Sequence, residues 1–247
     1  MNGYGRGFLA LPPVVKNLIL INILMLIATW TVQGVLGIDL TTILGLYFPK
    51  SDMFRPLQIL THMFMHANFW HLFFNMYALY IFGGILENVW GPKRFFIFYM
   101  ICGLGAALTH ETVIMFQYMK LMNSISSEQL QTVLSDGAAY LSQGQVFTND
   151  VMKSLQMVLY IPTVGASGAI FGVLLAFGML FPNTELMLLF PPIPIKAKWF
   201  VLGYGALELV LAVTQPGSNV AHAAHLGGML FGYFLIKYWR KTTKTFY

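Results

Sequence analysis

The sequence contains little charge. Only 9% of its 247 residues are charged, whereas 57% are hydrophobic and the mean hydropathy is +0.67. A soluble globular domain carries roughly a quarter charged residues, so a water-soluble fold is excluded. The net charge of +5 does not indicate a nucleic-acid partner, because the basic residues lie at the ends of apolar segments and form no single patch.

Cysteine is almost absent. The single Cys102 lies within an apolar segment, so a disulfide framework is excluded. The first apolar run has about 20 residues and no small-residue cleavage site before Leu36, so we interpret it as a membrane span and not as a removed signal peptide. The absence of a targeting presequence favours a prokaryotic plasma membrane as the location.

Long apolar runs are what the sequence has in abundance. Each approaches the roughly 20 residues that cross a bilayer as a helix, and we predict six spans, at about 17–36, 68–90, 94–117, 163–182, 197–214 and 222–239. The expected fold is therefore all-α, a polytopic bundle of six helices. We divide the chain into a short N-terminus (1–16), a membrane domain (17–240) and a tail (241–247).

The basic residues predict the orientation of this bundle. With the N-terminus in the cytoplasm, ten of the 14 Lys and Arg residues lie inside and four outside, as the positive-inside rule requires. Both termini are then cytoplasmic. The first outside loop, about 37–67, is so apolar and aromatic that we expect it at the membrane interface. The second, about 118–157, is polar with some helical patterning, and we interpret it as a surface excursion.

Polar side chains inside spans are costly and are usually paired or functional. Five of the six histidines lie near the outer ends of the second and sixth spans, namely His62, His66, His71, His222 and His225. The fourth span begins with the sequence GASG, which contains Ser167. The predicted topology brings these groups to a similar depth.

Helical geometry suggests a serine nucleophile with a histidine base. His225 shares a helix face with Gly228, and such small residues let another helix approach closely. If that helix carries Ser167, His225 can accept the proton that a serine must lose to become nucleophilic. The Ser167 N–H, at a helix start, and the side chains of His71 and Asn75 are candidate donors to an oxyanion. No aspartate lies near His225 in the sequence, which favours a Ser–His dyad.

Three motifs carry a family resemblance. GASG, with Gly165 and Gly168 around the serine, HANFWHLFFN in the second span and AHAAHLGG in the sixth resemble the rhomboid family of intramembrane serine proteases. The similarity extends over about 50–240, in the family's order and spacing. It implies the six-helix rhomboid fold and hydrolysis of peptide bonds without a metal or organic cofactor.

The resemblance also implies roles for single residues. Ser167 falls on the nucleophile, and His225 rather than His222 falls on the base. His71 and Asn75, four residues apart on one helix face, fall on the side chains that support the oxyanion.

Weaker matches and departures surround these motifs. Arg55 resembles the arginine of the family's Trp–Arg pair, with Phe54 where the tryptophan would be. Glu87 and Gly91 resemble a Glu-xxx-Gly capping element after the second span. Phe171 stands where some members have a tyrosine that stacks on the catalytic histidine, and an aromatic ring is retained.

The resemblance implies single-span membrane proteins as substrates, reached through the bilayer between the second and fifth spans. The gate residues we expect are Trp199, Phe200 and Leu202 with Phe74 and Tyr77. A substrate segment needs small or helix-breaking residues, because an intact helix hides its carbonyl groups in internal hydrogen bonds. The sequence does not indicate the natural substrate, its cleavage site or the oligomeric state.

Several polar residues have structural readings. His222 is expected near the site as a supporting or interfacial group, and His62 and His66 as ties between the first loop and the span ends. Glu208 is expected to hydrogen-bond a neighbouring span, with orientation of the base as the alternative. His110 is expected to be interfacial.

Two rival functions remain open on the sequence. The histidines could ligate a transition metal, although no carboxylate accompanies them in the sequence, no HExxH motif occurs and GASG would be unexplained. An inactive relative that escorts membrane clients is the second rival, and the complete set of Ser167, His225, His71 and Asn75 argues against it.

Overall fold

The computed structural model describes residues 11–187, 192–215 and 221–242, and these are largely helical. The α-helices are α1 (Pro13–Leu36), α2 (Thr41–Leu44), α3 (Gln58–Thr61), α4 (Phe69–Ala78), α5 (Gly84–Trp90), α6 (Pro92–Met122), α7 (Ser127–Ser142), α8 (Asp150–Tyr160), α9 (Ser167–Leu180), α10 (Ala197–Thr214) and α11 (His222–Thr242). A 3₁₀ turn at His62–Phe64 follows α3, and a π-helical segment at Leu79–Gly83 joins α4 to α5. Two short antiparallel strands, β1 (Glu185–Met187) and β2 (Pro194–Lys196), precede α10.

Proline marks two helix starts that lie earlier than predicted. α1 begins at Pro13 instead of 17, and α6 begins at Pro92 instead of 94. Proline suits the first helical turn because the N–H that it lacks has no helical partner there. α6 also continues to Met122, beyond the predicted end at 117, and α11 continues to Thr242, beyond 239. The predicted boundaries at 16/17 and 240/241 therefore fall inside helices.

Within the described residues, four helical segments have the length and composition to cross a membrane: Pro13–Leu36, Phe69–Trp90, Pro92–Met122 and Ala197–Thr214. The other two predicted spans do not reach that standard. α9 has only 14 residues, and α11 is long enough but carries two histidines and a basic last turn. The cytoplasmic placement of the termini stays a prediction, and residues 1–10 and 243–247 lie outside the described part of the chain.

α9 is the central helix of the bundle. It packs against α6 and α11, and eleven of its side chains or glycines are buried. Its 14 residues extend about 21 Å, against a hydrocarbon thickness of about 30 Å. The predicted span 163–182 is thus too long. The residues before Ser167 are not helical, because Thr163 pairs with Leu46 as an isolated antiparallel bridge. The helix therefore begins at Ser167, four residues later than the predicted span.

The first loop is folded around Gln58. The amide of Gln58 donates to the carbonyls of Ile43 and Met53, both at 3.1 Å, and its oxygen accepts from the N–H of Arg55 at 2.9 Å. Apolar side chains on the loop remain exposed, among them Leu57. A folded loop with an apolar outer surface agrees with a place at the membrane interface.

The predicted surface excursion at 118–157 is a helical hairpin. Its first part continues α6, and α7 and α8 complete it. Ser126 and Gln129 form a capping box at the start of α7. The hairpin has its own small apolar core, which joins Val133 and Leu155 to Phe48 of the first loop. It is therefore packed against the first loop and does not project freely.

Glu87 fastens α1 to the end of the second span. Its two carboxylate oxygens accept hydrogen bonds from the N–H groups of Val14 and Val15, at 2.9 and 2.7 Å. These groups belong to the first turn of α1, which has no helical acceptors of its own. The predicted Glu-xxx-Gly capping element thus caps α1, while Gly91 ends α5 with a φ of +79°.

Candidate active site

Ser167 is the first residue of α9. The backbone before it is held by a hydrogen bond from Gly165 N–H to the His62 carbonyl, at 2.9 Å. Gly165 has a φ of +130°, which a residue with a side chain rarely adopts. The Ser167 N–H is one of the four N-terminal amides that have no acceptor within a helix. The segment therefore presents a hydroxyl and a backbone donor together.

His225 of α11 lies beside this serine. The distance from His225 Nε2 to Ser167 Oγ is 2.9 Å, a hydrogen bond in which the tautomer sets the donor. The helices approach closely here, since a Cβ on Gly228 would overlap the backbone of Gly168. Phe171 stacks on the His225 ring at 4.1 Å between centroids and 6° between planes. These contacts hold one face of the imidazole and point Nε2 towards Ser167.

His71 of α4 borders the same place, and Asn75 lies one helical turn further along α4. A Cβ on Gly165 would lie 2.9 Å from His71 Nε2 and 3.6 Å from Ser167 Oγ, so the ring of His71 lies against the Gly165 backbone. Asn75 is buried, and its Nδ2 has no hydrogen-bond partner within the described residues. Buried donors are normally satisfied. An amide with free hydrogens one helical turn from His71 is suited to bind a ligand oxygen.

The sequence predicted a Ser–His dyad, whereas the structure places a third group, Glu208, beside His225. Its Oε2 accepts a hydrogen bond from His222 Nδ1 at 2.6 Å and lies 3.0 Å from His225 Nδ1. All three side chains are buried. The contact between Glu208 and His222 joins α10 to α11, as predicted for a carboxylate inside a span. The approach to His225 was only the alternative reading, because a sequence separation of 17 residues says little about which helix faces meet.

Glu208, His222 and His225 also bear on the rival metal site. Their ligand-type atoms lie within 4.8 Å of one another, so a carboxylate does accompany two of the histidines, contrary to the sequence argument. One of the three is the histidine that contacts Ser167. These residues could hold a metal such as zinc, which accepts imidazole and carboxylate ligands.

The remaining histidines support the segment before Ser167. His62 Nδ1 contacts the Gln58 carbonyl at 2.9 Å, and His110 Nε2 contacts Thr163 Oγ1 at 2.9 Å. His62 therefore ties the first loop to the site, as predicted. The interfacial position expected for His110 stays a prediction, and the structure adds its contact with Thr163, four residues before the serine.

His66 lies between His71 and an outer cavity. Its ring is 5.0 Å from that of His71, with the rings edge to face. The cavity has a volume of about 300 Å³, and its lining includes Asp39 and Val164 as well as His66. Burial, and secondly the charge of His71, lowers the pKa of His66 to about 3. His66 is therefore neutral, and the cavity brings a polar opening close to the site.

The residues expected to form the substrate gate lie on exposed faces. Phe74, Trp199 and Leu202 are each more than half exposed. Tyr77 stacks on Phe73 of its own helix, and Phe200 stacks on Tyr204 of its own helix. The aromatic packing thus runs along α4 and along α10.

Comparison with known proteins places the chain in a family. The Rhomboid domain model matches residues 53–242. Rhomboid protein 1, mitochondrial, from Saccharomyces cerevisiae is 29% identical over 192 residues, covering 76% of this chain and 44% of that protein. Human presenilin-associated rhomboid-like protein, mitochondrial, is 28% identical over 199 residues, covering 78% and 41%. Rhomboid protease AarA from Providencia stuartii is 28% identical over 177 residues, covering 69% and 51%.

The chain spans about half the length, or less, of these relatives. The match nevertheless covers most of this chain and includes the helices that carry Ser167, His225, His71 and Asn75. Together with the apolar helices, it shows an integral membrane protein. The chain is a member of the rhomboid family.

Proposed function

We propose that this protein is a serine endopeptidase that cleaves transmembrane or juxtamembrane segments of other membrane proteins. The observation that carries the proposal is the 2.9 Å contact between Ser167 Oγ and His225 Nε2 at the start of a buried, shortened helix. A serine hydroxyl is a weak nucleophile until an adjacent base removes its proton. This geometry supplies both groups at hydrogen-bond distance.

The residues support an acyl-transfer sequence. His225 Nε2 takes the Ser167 proton as Oγ attacks the peptide carbonyl, and the oxygen becomes negatively charged. The Ser167 N–H, the His71 ring and the unpartnered Asn75 amide are the donors for that charge. His225 then gives its proton to the leaving amine. Water from the extracytoplasmic side hydrolyses the acyl-enzyme, and the cavity beside His66 is a route for it.

The depth of the serine determines the class of substrate. Ser167 begins a helix about 21 Å long, so the scissile bond must lie within the membrane thickness or at its edge. A peptide carbonyl in an intact helix is hydrogen-bonded and shielded. We therefore propose single-span proteins whose segment contains small or helix-breaking residues, entering from the bilayer between α4 and α10. No metal or organic cofactor takes part in these steps.

For the location, we propose only that the protein is integral to a membrane. The relatives from yeast and human are named as mitochondrial, and AarA comes from a bacterium. The mitochondrial names weigh against the prokaryotic plasma membrane predicted from the sequence. The active site is proposed to face the side opposite the basic cytoplasmic ends.

The test is cleavage of a panel of tagged single-span proteins in proteoliposomes, with fluorophosphonate labelling of the protein. We expect Ser167→Ala to abolish both cleavage and labelling, and His225→Ala to lower both strongly. His222→Ala should retain labelling. Ser51→Ala, which changes a buried serine of the first loop, is the matched control and should be labelled and active.

Three outcomes would reject the proposal. Cleavage by Ser167→Ala at the wild-type rate would exclude the serine as the nucleophile. Cleavage that survives in Ser167→Ala but stops with a chelator would identify the metal centre as the catalyst. An intact wild-type protein that is never labelled and cleaves no substrate would favour the non-catalytic escort.

A further inference from the structure

The contact with Ser167 involves only Nε2 of His225, and the other ring nitrogen, Nδ1, also needs a partner. If Nε2 of His225 accepts the serine proton, a neutral ring must carry its own hydrogen on Nδ1. Nδ1 is buried and makes no well-aligned hydrogen bond within the described residues. The carboxylate oxygen Oε2 of Glu208 lies 3.0 Å from it. The N–H is therefore next to an acceptor but is not yet aligned with it.

Oε2 of Glu208 is shared between two imidazoles. The same oxygen accepts the shorter hydrogen bond from His222 Nδ1, at 2.6 Å, and a carboxylate oxygen has lone pairs for two donors. Hydrogen bonds of catalytic groups are commonly poorly aligned without substrate and tighten in the reacting complex. A small rotation of the Glu208 carboxylate or of the His225 ring would complete the second bond.

The charges around His225 give this contact its importance. His222 on α11, His71 on α4 and His110 on α6 also lie near enough to act on it electrostatically. All three of these neighbours are imidazoles. Glu208 is the carboxylate that lies beside His222 and His225. When His225 takes the serine proton it becomes positively charged, and a buried charge without a counter-ion is strongly disfavoured. Glu208 is placed to balance it.

We propose that Glu208 is a positioning residue of the proposed active site, and that His222 holds Glu208 in place for it. The inference rests on the proposed function. The proton moves from Ser167 Oγ to His225 Nε2, the Nδ1 proton stays on the ring, and Glu208 remains a carboxylate throughout. The site is thus a Ser–His–Glu arrangement whose acid comes from α10, in place of the dyad predicted from the sequence.

A purely structural role would tie α10 to α11 through Glu208 and His222 alone. That role predicts that the Glu208 variants fold less well and that Ser167 keeps its reactivity in the molecules that do fold. The contact with His225 predicts that the variants fold and that Ser167 reacts more slowly in them. The two are separated by measuring the rate constant and the end-point of fluorophosphonate labelling, because the end-point counts folded sites and the rate constant reports nucleophile activation.

The variants are chosen to remove different properties of the side chain. Glu208→Gln keeps the shape and removes the charge, and Glu208→Leu removes the acceptor, so His225 loses its preference for the tautomer with a free Nε2. We expect the labelling rate constant and kcat to fall about 100-fold or more in the second, the lower end of general-base contributions, and less, about tenfold, in the first, which keeps a hydrogen-bond acceptor. KM should stay unchanged. Glu128→Gln, which neutralises an exposed carboxylate of α7, is the control.

His222→Ala should slow labelling less than Glu208→Leu and should not abolish it. Labelling rate constants within about twofold of wild type in both Glu208 variants would overturn the inference. A fall confined to the labelling end-point would do the same, because it would show a folding role alone. Ser167→Ala is measured in parallel: if it still cleaves, the proposed function fails, and if it is inactive while the Glu208 variants are normal, only this inference fails.

Discussion

The substitution Gly228→Ala tests whether the close approach of α9 and α11 positions the catalytic groups. Gly228 lies three residues after His225 on the same side of α11, and Gly168 follows Ser167 directly on α9. A Cβ on Gly228 would overlap the Gly168 carbonyl oxygen and lie 2.7 Å from its carbon. The obstacle is backbone on a buried helix, so no flexible side chain can move aside.

The displacement can be worked out from these distances. Non-bonded carbon atoms are comfortable at about 3.5–4.0 Å, so the two helices must separate by about 1 Å at this point. His225 is less than one helical turn away and moves with its backbone. The Nε2–Oγ distance of 2.9 Å then becomes about 3.9 Å, beyond the 3.2 Å limit for a base in contact with its proton. We expect kcat to fall about 100-fold or more, with a loss of stability of about 1–3 kcal/mol for overpacking.

The assay is the rate constant of fluorophosphonate labelling in detergent, followed by cleavage of a single-span substrate in proteoliposomes. The labelling end-point corrects for protein that fails to fold. Gly203→Ala is the matched control, because a Cβ at that position of α10 meets nothing within 4 Å. If Gly228→Ala were labelled as fast as wild type, the small-residue contact would not control the distance between Ser167 and His225.

Two further predictions concern stability. Glu87→Leu removes the acceptor for the Val14 and Val15 N–H groups and should lower the free energy of unfolding by about 1–3 kcal/mol, seen as a lower melting temperature. Glu128→Gln, on the exposed surface of α7, should melt as wild type. An equal loss in both variants would refute the capping role. For His66, whose pKa falls from 6.5 to about 3 on folding, the unfolded chain binds the proton first. Stability is therefore full above pH 6.5 and decreases on acidification towards pH 3, by at most about 1.4 kcal/mol per pH unit. Melting temperatures from pH 7 to 5 should fall less in His66→Phe, and identical profiles would contradict this reasoning.

Composition determined the class of protein without any structure. With so little charge and several long apolar segments, the chain can satisfy its backbone in a bilayer only as helices or a closed barrel, and the length of the runs favours helices. One predicted span shows that hydropathy can also give the bounds of a helix. The predicted span at 197–214 matches α10 in full, because hydropathy sets where an isolated helix can lie in lipid.

The sequence was a poor guide where tertiary contacts compete with hydropathy. The apolar run at 163–182 reads as a full span, yet Thr163 pairs with Leu46 and Gly165 adopts a positive φ. These contacts come from the first loop, far away in the chain, and they shorten α9. The shortening is what makes Ser167 the first residue of its helix. No local pattern contains that information.

The candidate site also combines residues that the sequence identifies with contacts that only the structure shows. Ser167, His225, His71 and Asn75 could be named from three short motifs, because each motif lies at the start of one helix and helical spacing fixes which residues share a face. Glu208 could be recognised only as a costly carboxylate inside a span. Its two partners depend on the rotation and depth of α10 against α11, which side-chain packing decides, so only the tertiary structure shows that one carboxylate oxygen meets both His222 and His225.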